Sequence, residues 1–181
     1  MRQFLSRTPA RLAAALTALL MLTLAGGAFA AEALGRGESG LPLPRFVSLS
    51  SAEVNVRMGP SFKHKVKWKF VKAGLPVEIV REFGNWRRVR YADGEEGWVH
   101  HSLLSGRRTA LVTPWSESAG EPIALRAAAR DSARTTALLE PLVLASVDEC
   151  DGTWCEIEGS GFKGHIPQKD LWGVYPQEEV K

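Results

Sequence analysis

One pattern of residues occurs twice in this chain, and it constrains the fold more than any other feature. The stretch "GNWRRVRYADGEEGWVHHSLL" covers residues 84–104, and "GTWCEIEGSGFKGHIPQKDLW" covers residues 152–172. Both open with Gly, a polar residue and Trp, cross a turn that contains Gly, and reach Gly, a ring and an aliphatic residue before Leu. Two copies predict two tandem domains rather than a solenoid, which normally needs at least three repeats.

Short strands dominate the first copy. "AEVNVRM" alternates between apolar and polar residues, and "KHKVKWKF" places Val66, Trp68 and Phe70 on one face with Lys residues on the other. "LPVEIVREF", "WRRVRY" and "GWVHH" supply three more strands, separated by turns near Gly84 and at residues 94–97. Five short strands in so few residues predict a small β-barrel, because the sheet encloses a core only by closing on itself.

The second copy follows the same plan. Residues 123–126 correspond to residues 54–57, and "EPLVLASV" corresponds to "GLPVEIV". Residues 127–139 are rich in Ala and Arg, a composition that is compatible with a helical turn. The sequence therefore predicts an all-β protein with a first domain at 46–112, a linker at 113–120 and a divergent second domain at 121–176.

The N-terminal region has a different composition from the rest. Residues 1–30 contain three Arg, an apolar run at 12–24 and small residues that end at Ala30, which is the layout of a secretory signal peptide. A membrane-spanning helix needs about 20 apolar residues, so we expect membrane contact only through this signal. The prediction is an exported, periplasmic protein, cleaved near Ala30. Residues 31–45 carry three Gly and two Pro, which predicts a flexible linker.

Charge is distributed unevenly over a composition that is ordinary for a globular protein, 45% hydrophobic and 24% charged. Residues 46–112 contain 12 Lys and Arg against 6 Asp and Glu, whereas residues 113–181 contain 6 against 12. The basic half favours anionic ligands, or it docks on the acidic half of its own or another chain. The alternative explanation of the uneven charge is that both halves simply expose their charged residues to solvent. Nucleic acid is not an expected partner of an exported protein.

Two cysteines, Cys150 and Cys155, flank "DGTW" in the second copy. In an oxidising compartment we expect them to form a disulfide across one hairpin, closing a small loop worth ~2 kcal/mol in the chain-entropy model. When the two Trp residues are aligned, Glu82 and Arg87 occupy the corresponding positions, so they should face each other across the first hairpin. A closed zinc site needs four ligands, and no metal or other cofactor is expected.

Candidate catalytic groups do not form a recognisable constellation. His100 and His101 are adjacent on a predicted strand and therefore point to opposite faces. No "GxSxG" nucleophile elbow occurs in the sequence. The prediction is that the protein is not an enzyme.

The quoted motifs resemble a known family. "LPLPRFVSLSSAEVNVRMGPS" followed by "GNWRRVRYADGEEGWVHHSLL" resembles the bacterial SH3-like (SH3b) domains of exported proteins, and "GTWCEIEGSGFKGHIPQKDLW" is similar to the same family. The likeness covers nearly all of residues 41–175. It implies two five-stranded SH3-like barrels that bind rather than catalyse.

The resemblance also suggests where a ligand binds. In eukaryotic SH3 domains the corresponding Trp walls the ligand groove, which makes Trp86 and Trp154 candidate ligand-binding residues, with Pro167 beside Trp154. Arg88 is a further candidate in the basic first domain. Trp86 and Val89, three apart, do not share a face of a regular strand, so either a bulge intervenes or one faces the core and the other the surface. That both Trp rings fill small cores is the alternative.

These observations favour an exported, non-enzymatic binding or adapter protein. Its expected partner is an extended chain, either a peptidoglycan stem peptide or a protein segment in the envelope. The alternative is a structural protein that binds another protein or associates with itself. A more distant alternative is an accessory to a cell-wall hydrolase, which no residue constellation supports.

Overall fold

The computed structural model describes residues 35–113 and 121–181. These ranges consist of β-strands, turns and two short 3-10 helices, and they contain no α-helix. No helix within them is long and apolar enough to span a membrane. The predicted signal peptide, residues 1–30, and residues 114–120 of the predicted linker lie outside the described ranges.

A short pair of strands precedes the first barrel: β1 (Gly35–Arg36) and β2 (Pro42–Leu43). The first barrel is a curled sheet whose strands are β3 (Arg45–Leu49), β4 (Val54–Arg57), β5 (Val66–Phe70), β6 (Pro76–Phe83), β7 (Trp86–Arg90), β8 (Glu96–His100) and β9 (Leu104–Ser105). Their order across the sheet is β5-β4-β8-β7-β6-β3-β9. Strands β4 to β8 are the five that the sequence predicts, and β3 and the two-residue β9 complete the sheet.

The second sheet repeats this arrangement. Its strands are β10 (Thr109–Val112), β11 (Ile123–Arg126), β12 (Thr135–Leu139), β13 (Leu144–Asp151), β14 (Trp154–Gly159), β15 (Phe162–Pro167), β16 (Leu171–Trp172) and β17 (Glu179–Val180). The order β12-β11-β15-β14-β13-β10-β16 matches the first sheet strand for strand, and β17 pairs with β13 in addition. A 3-10 helix follows the same strand in each copy, at His101–Leu103 and at Gln168–Asp170. The all-β tandem fold predicted from the sequence is confirmed.

The second sheet begins earlier in the chain than the predicted domain boundary. Strand β10 lies in the range assigned to the first domain, but it pairs with β13 and β16. Ala110 and Val112 are buried in the second core, so this strand occupies the place that β3 has in the first barrel. Residues 127–139 form turns and then strand β12, with no helical turn.

The repeated Gly in each copy is required by a close approach of two strands. A Cβ atom at Gly97 in β8 would collide with the side chain of Val56 in β4. A Cβ atom at Gly164 in β15 would lie 2.6 Å from the backbone oxygen of Arg126 in β11. The Gly before the ring in each repeat therefore permits β4 to cross β8 and β11 to cross β15.

The two central hairpins use different cross-strand links at the same position. Cys150 pairs with Cys155 across β13 and β14, and the two sulfur atoms form a disulfide. Glu82 pairs with Arg87 across β6 and β7, and their Oε1 and Nε atoms lie 3.2 Å apart. The disulfide predicted from the two flanking cysteines and the cross-strand pair predicted from the alignment of the Trp residues are both confirmed.

Part of the segment predicted as a flexible linker is bonded to the first barrel. The backbone N–H and the hydroxyl of Ser39 donate to the Glu82 carboxylate at 2.7 and 2.8 Å, and Arg45 Nη2 donates to it at 2.6 Å. Glu38 accepts a hydrogen bond of 2.7 Å from the backbone N–H of Gly84. The reason is that a buried carboxylate needs donors, and residues 39–45 supply three of them.

These donors determine the ionisation of Glu82, whose side chain is only 1% exposed. Burial alone would raise the pKa of Glu82, but the hydrogen bonds from Ser39 and Arg45 and the charge of Arg87 lower it to about 2. The carboxylate is therefore charged in the folded protein well below the pH at which Glu is protonated in an unfolded chain.

Removal of the disulfide by substitution tests whether it stabilises the second hairpin locally. We expect the Cys150→Ala/Cys155→Ala double variant to lose about 2 kcal/mol of unfolding free energy, because the cross-link restricts the unfolded chain. Hydrogen exchange at β13 and β14 should accelerate in the variant, while exchange at β6 and β7 serves as the internal control. Equal acceleration in both hairpins would contradict a local role for the cross-link.

Substitution of Glu82 tests the link between the N-terminal segment and the barrel. We expect Glu82→Gln to cost about 2 kcal/mol or more at neutral pH, because it leaves buried donors without their charged acceptor. Since the folded pKa is depressed, this contribution is full above the unfolded pKa and is lost as pH falls toward 2. Chemical denaturation of both proteins between pH 7 and pH 2 should therefore show converging stabilities, with the exposed Glu158→Gln variant following the wild type throughout.

Candidate binding grooves

Each barrel carries a Trp at the same place in the fold. Trp86 is the first residue of β7 and pairs with His100, the last residue of β8. Trp154 is the first residue of β14 and pairs with Pro167, the last residue of β15. The two predicted ligand-binding Trp residues thus occupy equivalent positions, each next to a 3-10 helix.

In the first barrel this Trp lies beneath another aromatic ring. Val89 belongs to the core of the barrel, whereas Trp86 packs outside that core, so the two face opposite sides of the sheet. The Phe62 ring lies 4.9 Å from Trp86 and 5.6 Å from His100, measured between ring centroids. Phe62 is 69% exposed and leaves Trp86 only 8% exposed. The Trp86 ring therefore neither fills the core nor stands open to solvent.

The loop that carries Phe62 is held in place by one guanidinium group. Arg57 Nη1 donates to the backbone oxygens of Phe62 and His64 at 3.2 and 2.8 Å. The same group lies 5.6 Å from the Phe62 ring centroid, within cation–π range. Phe62 is therefore an ordered cover of Trp86 that the sequence pattern did not indicate.

Arg88, the fourth predicted ligand-binding residue, lies apart from Trp154 and Pro167. It pairs with Trp98 in the sheet, and its Nε is 2.7 Å from the carboxylate of Glu96. Its side chain is 44% exposed, so the guanidinium faces solvent beside its partner.

In the second barrel the equivalent Trp borders an open groove of about 830 Å³. The loop that corresponds to the one carrying Phe62 contains Ala127, Ala128 and Ala129, and it has no aromatic residue to place over Trp154. Trp154 and Pro167, both predicted, lie together in the wall of this groove. Aromatic rings from both barrels contribute much of its remaining apolar lining, namely Phe46, Tyr91, Trp172 and Tyr175.

The far wall of the groove exists because the barrels contact each other. The Phe46 ring of β3 lies 4.9 Å from Trp172 and 4.7 Å from Tyr175, measured between centroids. The Tyr175 hydroxyl donates a hydrogen bond of 2.8 Å to Glu78 of β6. Arg90 binds the other oxygen of Glu78 through Nε and Nη2, at 2.8 and 2.6 Å. These contacts fix the C-terminal segment of the second barrel against the first.

Protonation keeps this contact intact over the ordinary pH range. Burial and the hydrogen bond to Glu78 raise the pKa of Tyr175 well above its usual range, so its hydroxyl remains a donor. The hydrogen bond to Glu78 likewise raises the pKa of Arg90. Sequence reasoning missed Phe46, Glu78 and Tyr175, because their contacts join residues far apart in the chain.

Opposite net charges on the two halves contribute little to this interface. Among the ion pairs formed within residues 35–113 and 121–181, one joins the basic half to the acidic half, between Arg108 and Glu178 at 2.7 Å. The contact around Glu78 is made by rings and by a neutral hydroxyl. In the described ranges, no group of three or more His, Cys, Asp or Glu residues is arranged to hold a metal ion.

Comparisons with known proteins agree with this architecture. The family model of the bacterial SH3 domain matches the chain twice, at residues 50–106 and 119–173. The chain belongs to the bacterial SH3 domain family. No curated protein sequence matches it.

Solved structures show a weaker likeness. NlpC2 from Trichomonas vaginalis is 13% identical, with a TM-score of 0.32, over 71% of this chain and 48% of that one. NlpC1 from the same organism is 13% identical, with a TM-score of 0.33, over 75% of this chain and 48% of that one. The chain thus spans about half the length of these proteins, and a likeness of this size carries no argument about function.

Removal of the Phe62 ring tests whether it shields Trp86 from solvent. We expect Phe62→Ala to increase hydroxyl-radical labelling of Trp86 severalfold, because the ring that shields it is absent. Met58→Ala, in the same loop and also exposed, is the matched control, and labelling of Trp154 is the internal reference. Unchanged labelling of Trp86 in Phe62→Ala would show that Phe62 does not cover it in solution.

Proposed function

We propose that this protein is a non-enzymatic binding protein of the cell envelope, and that its second barrel holds an extended chain in the groove at Trp154. The proposal is supported mainly by the groove itself, an open space of about 830 Å³ with Trp154 and Pro167 in one wall. A concave site of this size that is lined by aromatic rings is typical of ligand binding. Placement in the envelope follows from the signal peptide predicted at residues 1–30.

An extended peptide fits the shape and the chemistry of this groove. Rings from both barrels offer flat apolar surface, and Gln168, Thr153 and Lys169 place polar groups along the wall. A peptide in an extended conformation presents side chains and backbone N–H and C=O groups alternately, which suits such a mixed wall. A peptidoglycan stem peptide or a segment of another envelope protein would both meet this description.

The two barrels differ as binding surfaces. Phe62 covers Trp86 in the first barrel, whereas Trp154 is half-buried and lines the groove in the second. We therefore assign the main ligand groove to the second barrel and its interface with the first. Trp86 and Arg88 stay candidate residues of a separate surface on the first barrel. A ligand would reach Trp86 only after Phe62 moves, whereas the Arg88 side chain is exposed.

Self-association is the second candidate function. It is favoured by the opposite charges of the two halves, of which a single ion pair between the halves is used within the described chain. Association of this kind weakens as salt shortens the Debye length. Light scattering at increasing ionic strength therefore distinguishes it from ligand binding in the groove.

Co-sedimentation with purified peptidoglycan tests the main proposal. We expect the mature protein to sediment with peptidoglycan and Trp154→Ala to lose at least about tenfold in affinity, because aromatic anchors dominate such sites. Phe83→Ala is the matched control, since it removes an exposed ring outside the groove. Wild-type protein that stays in the supernatant, or equal retention of Trp154→Ala, would exclude peptidoglycan binding through this groove.

A further inference from the structure

A row of outward-facing residues crosses the same four strands in each barrel. In the first barrel, Arg81 of β6 pairs with Arg88 of β7, and Arg88 pairs with Trp98 of β8. Arg57 of β4 also pairs with Trp98 and ends the row. This surface presents three guanidinium groups around one ring.

The second barrel carries the opposite charge in the corresponding row. Glu149 of β13 pairs with Glu156 of β14, and Glu156 pairs with His165 of β15. Arg126 of β11 pairs with His165 and is the only position in the row that keeps its cation. Two arginines of the first copy are thus replaced by two glutamates in the second.

These glutamates border a small cavity of about 180 Å³. Its lining consists of Ala129, Glu149, Asp151, Trp154, Glu156 and His165. Trp154 lines both the cavity and the large groove, so the two spaces adjoin at this residue. A chain that occupies the groove is therefore within reach of the acidic cavity.

The carboxylates of the cavity have few cationic partners nearby. Asp151 accepts hydrogen bonds from the backbone N–H groups of Thr153 and Trp154, at 2.8 and 2.7 Å, which fixes its position beside the ring. Lys163 is bonded to Asp148 at 2.9 Å and lies 3.7 Å from Glu156. Glu149 forms no ion pair among the described residues.

Arg126, which pairs with His165 in the sheet, is hydrogen-bonded elsewhere. Arg126 Nη1 donates to Thr135 Oγ1 at 2.9 Å and to the backbone oxygen of Ala133 at 3.3 Å. Lys163 shares its charge among Asp148, Glu156 and Glu158, and Arg126 adds one cation beside the three carboxylates of the cavity, so an excess of negative charge remains.

A buried acceptor lies on the groove side of Trp154. Gln168 is 4% exposed, and its Nε2 donates to the backbone oxygens of Tyr175 and Glu178 at 2.6 and 3.0 Å. Its Oε1 accepts no hydrogen bond from any described residue. The amide therefore holds the C-terminal segment at Tyr175 and Glu178 against the groove wall, and its fully buried Oε1 is closed to a ligand.

We propose that the cavity between Glu149, Glu156 and Trp154 binds a cationic side chain, the ammonium group of an amino-bearing residue in a peptide held by the groove. This inference rests on the proposed function of the groove and adds the charge of its ligand. An ammonium group near the Trp154 face gains cation–π attraction, and the carboxylates supply the counter-charge.

The first barrel shows that this sheet topology does not require glutamates at the two positions. Arg81 and Arg88 occupy the positions of Glu149 and Glu156 in a sheet with the same strand order. The negative charge is therefore a property of the cavity, and it is opposite to the sign that the basic first domain would favour in a ligand.

Three blocked alanine pentapeptides that differ at the central residue test the proposal. The central residue is Lys, norleucine or Glu, and each peptide is titrated by calorimetry into the protein that begins at Ala31. We expect the Lys peptide to bind about tenfold more tightly than the norleucine peptide, and the Glu peptide to bind most weakly.

Variants of the row separate charge from packing. Glu149→Gln with Glu156→Gln should remove the preference for Lys while the norleucine peptide binds as before. Glu149→Arg with Glu156→Arg copies the first barrel and should shift the preference to the Glu peptide. Glu158→Gln, on the same strand but outside the cavity, is the matched control and should keep the preference for Lys.

The outcomes distinguish this inference from the proposed function. Equal binding of the Lys and norleucine peptides, no binding of the Lys peptide, or a preference that survives both double variants would overturn the cationic cavity. Peptidoglycan binding that depends on Trp154 would still support the groove in each of those cases. Loss of Trp154-dependent binding to both peptidoglycan and peptides would overturn the groove itself.

Discussion

The buried carboxylate of Glu78 is the group on which the arrangement of the two barrels depends. A carboxylate in this position is costly unless every oxygen is satisfied, and here Arg90 and the Tyr175 hydroxyl do so from opposite barrels. Phe46 packs against Trp172 and Tyr175 around the same point. This contact gives the groove its second wall, so the ligand site is a property of the pair of barrels.

The two copies share the strand order and the Gly positions that the barrel requires, and they differ at outward-facing positions. The strand order is identical in the two copies, and Gly97 and Gly164 allow the same strands to cross closely. Most inward positions keep small or branched apolar side chains in both copies, because a small barrel is closely packed. Outward positions face solvent, so the charge of their side chains differs between the copies. Arg88 and Glu156, for example, occupy equivalent positions.

Cross-strand links illustrate how one position is used in two ways. Cys150 and Cys155 are joined covalently, which restricts the unfolded chain. Glu82 and Arg87 use charge instead, and Ser39 and Arg45 complete the shell around the carboxylate. The Glu82–Arg87 link requires additional hydrogen-bond donors, because a buried charge needs more than one partner. The first barrel therefore includes a segment that precedes it in the chain.

The sequence by itself determined the all-β class, the five strands of the first barrel, the duplication, the hairpin partners, and Trp154 with Pro167 as neighbours. These features follow from alternation, from Gly positions and from an alignment of two copies, all of which are local. Only the tertiary structure decided that β10 belongs to the second sheet, that Phe62 covers Trp86, and that the first barrel walls the groove of the second. Such contacts depend on which outward surfaces meet, and side-chain periodicity records which face is buried but not what covers it.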